Sequence, residues 1–192
     1  ILWDKLKKFS NEYEFIYSSS CNSYKNISTI YPISRSYFKL WEIIHDFKYL
    51  INFNDNESFR SAHIAEGPGG FIECIYKYIN SYFDKNIFPK VKIFGLTLLS
   101  ENNNIPNWKI KKNIINTFNI ELNNKEQCDG DLYSLSNINI FLKNIGENSC
   151  NLITCDGGFD FSYNYNEQEE NFIFFFISEI YMILKLLKNG GN

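Results

Sequence analysis

Histidine, arginine and methionine are scarce in this chain of 192 residues, which has two histidines (His45, His63), two arginines (Arg35, Arg60) and one methionine (Met182). The histidines are too few and too isolated to write a metal centre into the sequence. His45 reads as a helix-surface residue, and His63 as a strand residue with a satisfied partner. The five cysteines (Cys21, Cys74, Cys128, Cys150, Cys155) include no C-x-x-C spacing. Their odd number and scatter argue against a zinc site or a disulfide frame and for reduced thiols in a cytosolic setting. Positive charge is not in excess either: 19 basic against 22 acidic side chains leave a net charge of −3 and a pI near 5.5. That excludes a global attraction to nucleic acid but not a local basic groove, because the field follows the distribution of charge rather than its sum. The first residues given do not read as a signal peptide. The greasiest run, "NFIFFFISEIYMILKLLKN", is broken by Glu179 and Lys185 and reads as a buried helix, not a membrane span.

What is present is ample material for a core, since 44% of residues are hydrophobic and 18% aromatic, in a length typical of one domain. Asparagine and isoleucine recur, and lysine far outnumbers arginine, a bias that fits an AT-rich genome better than any chemistry. The chain begins "ILWDKLKKF" without an initiator methionine and is expected to be a piece of a longer polypeptide. Residues 1–33 form a polar, aromatic, weakly helical lead-in. A helix is predicted over 34–47, where Phe38, Trp41, Ile43 and Ile44 fall at helical spacing. Next come a strand "SAHIAE", a glycine turn, a helix over 71–83, and a second strand "KVKIFGLTLL". "CDGDLYSL" marks another strand-to-helix passage, with Asp131 just after a short strand. A helix over 137–146, a strand in "CNLITCDGG" and a long helix over 168–187 follow. "KNGGN" stops that helix and opens another strand. Strands alternating with helices imply an α/β layer fold with a mostly parallel sheet.

The turn "AEGPGGF" (Ala65–Phe71) carries the most information. Three glycines and a proline between a strand and a helix need a reason beyond turning the chain, since each weakens regular structure. In open α/β sheets ligands bind beyond the carboxyl ends of strands, where a helix N-terminus offers free N–H groups. A tight turn with no ligand is the plain alternative. The spacing of Gly67, Gly69 and Gly70 is not G-x-G-x-x-G, no Gly-Lys-Ser follows, and no G-x-S-x-G elbow occurs. A cofactor bearing a carboxylate and a sulfonium, S-adenosyl-L-methionine, remains.

"AEGPGGF" resembles the cofactor loop of the FtsJ-like ribose 2′-O-methyltransferases. "GLTLL", "CDGDLYSLSNI", "LITCDGGFDFSYNYNEQEE" and "SYFKLWEI" resemble successive segments of the cap-specific mRNA 2′-O-methyltransferases within that family. In this order the motifs are specific, and they run from about Ser34 to the end. The resemblance implies a Rossmann-like S-adenosylmethionine-dependent methyltransferase fold. It would consist of a mostly parallel sheet with helices on both faces, a domain over 34–192, and further strands beyond Asn192. Large cytoplasmic DNA viruses carry distant versions of this domain, and the composition suits such a source or some protists equally.

The family transfers a methyl group to a ribose 2′-hydroxyl with a Lys-Asp-Lys-Glu set. By resemblance Lys39 is the first lysine, beside the hydroxyl and phosphate, and Asp156 the aspartate. The second lysine is expected on the strand after "LKNGGN"; Lys185 and Lys188 are no substitutes, because they lie on the preceding helix. The cofactor would be held by Ala65, Glu66, Gly67, Pro68, Gly69, Gly70 and Phe71, with Asp131 at its adenosine part and Leu132 as an apolar wall. Ser34 and Arg35 are expected to contact substrate. Without the resemblance, Lys39 reads as a solvated helix lysine, Asp156 as a turn residue and Asp131 as a helix cap. The expected partner is RNA, the capped 5′ end of an mRNA, with other capping-enzyme domains or subunits and no membrane. Lys5, Lys7, Lys8, Arg35, Lys109, Lys111 and Lys112 are candidate phosphate contacts, although each cluster alone reads more simply as a solvated face. The expected location is the cytoplasm (a viral factory or virion for a viral source), or the nucleus for a cellular one. Two other readings stay open. One is an FtsJ-type enzyme for ribosomal or transfer RNA, and the other a non-catalytic methyltransferase fold that binds RNA or acts as a scaffold.

Overall fold

The computed structural model describes residues 28, 30–53, 58–102, 105–158 and 168–192. Lys5, Lys7, Lys8, Cys21 and the "FDFSYNYNE" segment therefore lie outside the described residues. The described elements run α1 (Ser36–Asp46), β1 (Phe59–Ile64), α2 (Gly70–Tyr82), β2 (Val91–Leu96), α3 (Lys112–Thr117), β3 (Ile120–Leu122), α4 (Leu135–Ile145), β4 (Leu152–Cys155) and α5 (Gln168–Leu186). The larger elements fall within about two residues of their predicted bounds, the usual uncertainty of element ends. Two elements escaped prediction. The strand placed at "CDGD" lies instead at Ile120–Leu122, with α3 before it. Both are too short, at six and three residues, to declare a pattern of their own, and their neighbours hold them in shape.

The four strands are all parallel, in the order β3-β2-β1-β4. Parallel strands need long crossovers, and crossovers are right-handed, so the direction of travel fixes the face on which each helix lies. Going outward from β1 to β3 lays α2 and α3 on one face. Returning past β1 to β4 lays α4 on the other. Side chains divide accordingly, with the period of two of a strand. Phe59, Val91, Ile93 and Leu152 pack with Tyr37, Leu40 and Ile44 of α1 and Ile72, Ile75 and Ile79 of α2. Ala62, Ile64, Phe94 and Leu96 pack with Ile138, Phe141 and Leu142 of α4 and Met182 and Leu186 of α5.

The chain turns back at β1, which has β2 on one side and β4 on the other. Such a switch point opens a crevice at the carboxyl ends of the two strands that part there. After α5 the backbone returns to the sheet. Asn192 donates its N–H to the Asn151 carbonyl at 2.9 Å and accepts from the Ile153 N–H at 2.9 Å, a parallel ladder beside β4. Among the described residues, no helix is long and apolar enough to cross a membrane.

Candidate active site

β1 and β4 end level with one another, Ile64 beside Cys155, so the residues that follow them face each other across the crevice. Residues 152, 154 and 156 alternate onto one side of the sheet. Leu152 packs in the core shared with α1, and Asp156 continues that row toward the same helix. From α1, Lys39 reaches across and places its Nζ 2.8 Å from Asp156 Oδ1 and 3.0 Å from Oδ2. The two residues are 117 positions apart in sequence. Tyr37, Leu40 and Ile44 bury one stripe of α1, which leaves Lys39 on its flank, its side chain 58% exposed against 28% for Asp156. A solvated pair of this kind contributes little to stability; what it does is fix an ammonium at the mouth of the crevice.

The pair opens into a cavity of about 460 Å³ lined by Ser34, Arg35, Ser36, Lys39, Ala65, Glu66, Gly67, Pro68 and Asp156. Eight of these nine were singled out in the sequence; Ser36, whose hydroxyl lies 2.5 Å from that of Ser34, was not. Ala65 leaves β1 with φ of 56°, a left-handed conformation uncommon for a residue with a side chain and frequent at binding sites. Gly67 is bare because the chain presses on it from both sides: a Cβ there would collide with Thr97 and with the carbonyl of Pro106. Gly69 has φ of 118° at the start of α2. Protein packing and backbone geometry thus account for these two glycines, while the wall they leave is low and short-chained.

The N–H groups expected to stand free at the start of α2 do not. The carboxyl of Glu66 folds back onto them, accepting from Phe71 N–H and, at 3.4 Å, from Ile72 N–H. The loop's own carboxyl therefore occupies these donors, and a ligand's carboxylate does not find them open. Glu66 is buried, and burial pushes its carboxyl up to about 8; the bonds to Phe71 and Ile72 pull down, and the charge of Asp156 pushes up further. Behind Asp156 lies a second such acid. Glu179 of α5 is buried with Oε1 unpartnered, and burial, reinforced by Asp156, raises it to about 7. Sequence reasoning missed Glu179, seeing in it only a break in an apolar run.

The other expected residues lie elsewhere. Gly69, Gly70 and Phe71 are buried beneath the turn. Asp131 sits on the loop before α4, where its carboxylate accepts the Tyr133 N–H at 2.9 Å; it is not the cap of α4, whose first flanking residue is Ser134. Leu132 is packed in the core, so it anchors that loop rather than presenting an open apolar wall. Lys109, Lys111 and Lys112 are exposed around buried Ile110, with the Lys109 N–H donating to the Pro68 carbonyl at 3.0 Å. His63 bonds to Thr154 at 2.7 Å and Ser61 at 3.0 Å, and burial drives it down to about 3, so the ring is neutral. His45 is half-buried against Trp41, Tyr78 and Tyr82. Cys74, Cys128, Cys150 and Cys155 are free thiols. Among the described residues, no cluster of three or more potential ligands could hold a metal.

The FtsJ-like methyltransferase family matches residues 32–192. A cap-specific mRNA (nucleoside-2′-O-)-methyltransferase 2 from Drosophila melanogaster is 26% identical over 174 residues, which cover 88% of this chain and 24% of that protein. The chain thus spans about a quarter of the length of this curated relative.

Proposed function

This chain belongs to the FtsJ-like methyltransferase family, and from that premise we propose that it transfers a methyl group to a ribose 2′-hydroxyl near the capped 5′ end of an mRNA. The observation that carries the proposal is the Lys39–Asp156 pair at the switch-point crevice. The likeness to a cap-specific enzyme supports the choice of RNA.

Members of the family use S-adenosylmethionine, which supplies a methyl group already activated by its sulfonium. The cavity suits such a molecule: its walls are mostly short side chains, and Asp156 brings a carboxylate to a site for a cation. Ala65, Gly67 and Pro68 would form its floor, and Asp131, from the loop before α4, would take the adenosine part. The cofactor's carboxylate must find donors other than Phe71 and Ile72.

The protein's own task is to align a ribose hydroxyl and make it a better nucleophile. The Lys39 ammonium, held by both oxygens of Asp156, stabilises the negative charge that develops on the hydroxyl oxygen as its proton departs. A fixed ammonium needs no reorganisation when that charge appears. Arg35 and the Ser34–Ser36 pair, on the same rim, would hold the neighbouring phosphate. Lys109, Lys111 and Lys112 would extend the contact along the RNA. A strand continued from Asn192 in its present register comes level with Asp156 about four residues further on, where the second lysine of the family's set is expected.

The test is methyl transfer from labelled S-adenosylmethionine to short capped and uncapped RNAs by the whole polypeptide, beside Lys39→Ala and Asp156→Ala. Transfer confined to capped RNA and lost in both variants is the expected result. Transfer to uncapped RNA, or to ribosomal or transfer RNA alone, would replace the substrate. Absence of both transfer and cofactor binding would favour the scaffold reading.

A further inference from the structure

Helix α5 lays one row of side chains on the sheet. Phe175, Glu179, Met182 and Leu186 recur at intervals of four, three and four, and all are buried. Three of them are apolar and belong to the core that α5 shares with the sheet; Glu179 is the exception. A carboxyl in such a row is costly, because burial penalises its charge and takes away the water that would fill its hydrogen bonds. Among the described residues its Oε1 has no partner. A methionine or a leucine would close the same space without that cost, so the acid calls for a use.

The group it holds indicates that use. The Glu179 carboxyl accepts the backbone N–H of Gly157. It comes close enough because Gly157 is bare: a Cβ there would collide with the Phe175 ring and stand 2.8 Å from Glu179 Oε1. Pairing of β4 with β1 ends at Cys155, so the residues that follow need another hold. The Gly157 N–H belongs to the planar peptide unit that begins at the Asp156 Cα. Gripping that N–H fixes the plane, and the plane fixes the direction in which the Asp156 side chain leaves the backbone. The far end of that side chain holds Lys39 through both oxygens. We propose that Glu179 is a positioning residue for methyl transfer: by holding the Gly157 N–H it aims the Asp156 carboxylate and, through it, the Lys39 ammonium. This rests on the methyl-transfer reading of the Lys39–Asp156 pair.

The pair needs such a hold. It is open to water, and attraction in water does little to keep two side chains in one geometry. On one side Lys39 is anchored by α1, whose Tyr37, Leu40 and Ile44 are buried. On the other, Asp156 stands on a turn, and Glu179 ties that turn to a packed helix. Glu179 is not among the residues that line the cavity, so it acts through Asp156 rather than on the substrate. A misplacement of about 1 Å at a distance from the chemistry is enough to lower a rate by about 10²-fold.

The test compares the whole polypeptide, unsubstituted, with Glu179→Met, Glu179→Gln and Asp156→Asn, and urea unfolding fixes the folded fraction of each. Methionine removes the acceptor and keeps the shape; glutamine keeps an oxygen that can accept the Gly157 N–H. One readout needs neither RNA nor cofactor: the acetylation rate of Lys39 relative to exposed Lys143, read by mass spectrometry. Lys39 is expected to react slowly in the unsubstituted protein and in Glu179→Gln. In Glu179→Met it is expected to react several-fold faster, as it does when Asp156→Asn frees it. In methyl transfer, Glu179→Met is expected to lower kcat about tenfold or more, with KM for RNA and S-adenosylmethionine changed less than about twofold. Glu179→Gln is expected to keep most of the rate. An unchanged Lys39 reactivity or an unchanged kcat in Glu179→Met overturns the proposal. So does a fall in kcat that lost folded protein accounts for, or one that glutamine shares in full. Should Glu179→Met not fold, Glu179→Leu gives the same comparison. If the unsubstituted protein transfers no methyl group, the methyl-transfer reading falls, and Lys39 acetylation alone decides whether Glu179 holds the pair.

Discussion

Between Ala65 and Phe71 the turn after β1 finds its partners close at hand. Glu66 accepts from Phe71 and Ile72, the Gly69 N–H donates to the Glu66 carbonyl at 2.8 Å, and the Gly67 N–H donates at 3.0 Å to Thr97, the residue after the adjacent strand. The turn after β4 is built the other way. Asp156 is held by Lys39 from a helix that precedes the whole sheet, and Gly157 rests against Phe175 and Glu179 of a helix that follows it. The first turn is therefore a piece of the fold that shapes a cavity. The second is where distant parts of the chain are brought together around a charge. Substitutions in the first should be felt in stability, and substitutions in the second in rate.

The sharpest test of that division is Asp156→Asn. It releases Lys39 and is expected to lower the methyl-transfer rate by about 10²-fold or more, while the exposed pair it breaks changes the free energy of unfolding by less than about 1 kcal/mol. Initial rates and urea unfolding of the same preparation check both halves. Gly67→Val should do the reverse in kind, because its side chain meets Thr97 and a backbone carbonyl. Overpacking of this sort costs about 1–3 kcal/mol, read as a lower urea midpoint.

A subtler difference appears with pH. Folded Glu66 keeps its proton up to about 8, whereas an unfolded glutamate releases it near 4.3, so about four pH units separate the two states. Its contribution to stability is full below the unfolded value and drains away as pH rises to about 8. His63 acts in the opposite sense. Held down to about 3 against roughly 6.5 when unfolded, its contribution is full above the unfolded value and lost as pH falls. The two slopes oppose each other in the acid range, and above about 6.5 only the loss from the acids remains. The urea midpoint should fall from there to pH 8, and Glu66→Gln should flatten the fall. Glu179→Gln should flatten only its lower part, because that acid is raised to about 7; this is the smallest of the expected effects.

Much of this architecture was legible in the sequence where pattern and punctuation coincide. β1 and β4 are short runs closed by a glycine turn or Asp-Gly, β2 is a mostly apolar run, and α1, α2, α4 and α5 carry enough apolar residues to declare a period. β3 and α3 are held by neighbours, and "KNIINTFNIEL" reveals neither. Lys39 and Asp156 could be named only through resemblance, because a pairing across 117 positions leaves no local trace. The role of Glu66 was missed for a different reason. A glutamate beside a glycine turn looks like a solvated charge, and only the folded backbone shows that it fills the helix N-terminus itself. Glu179 was obscured by its own setting, since an acid inside an apolar helix reads as an interruption until the opposite strand is in place.

The sheet order also sets a timetable. β1 pairs with β2 soon after both are made, but its other edge waits for β4, which follows β3 and α4 in the chain. Contacts so distant in sequence form late, since the loop between them must first be closed. On a ribosome, the inner strand of this sheet would stand for a time with one edge bare, open to association with other chains. Lys39 would meet Asp156 only when that edge is closed. The nascent protein is thus denied its charge pair until the sheet that surrounds it is complete.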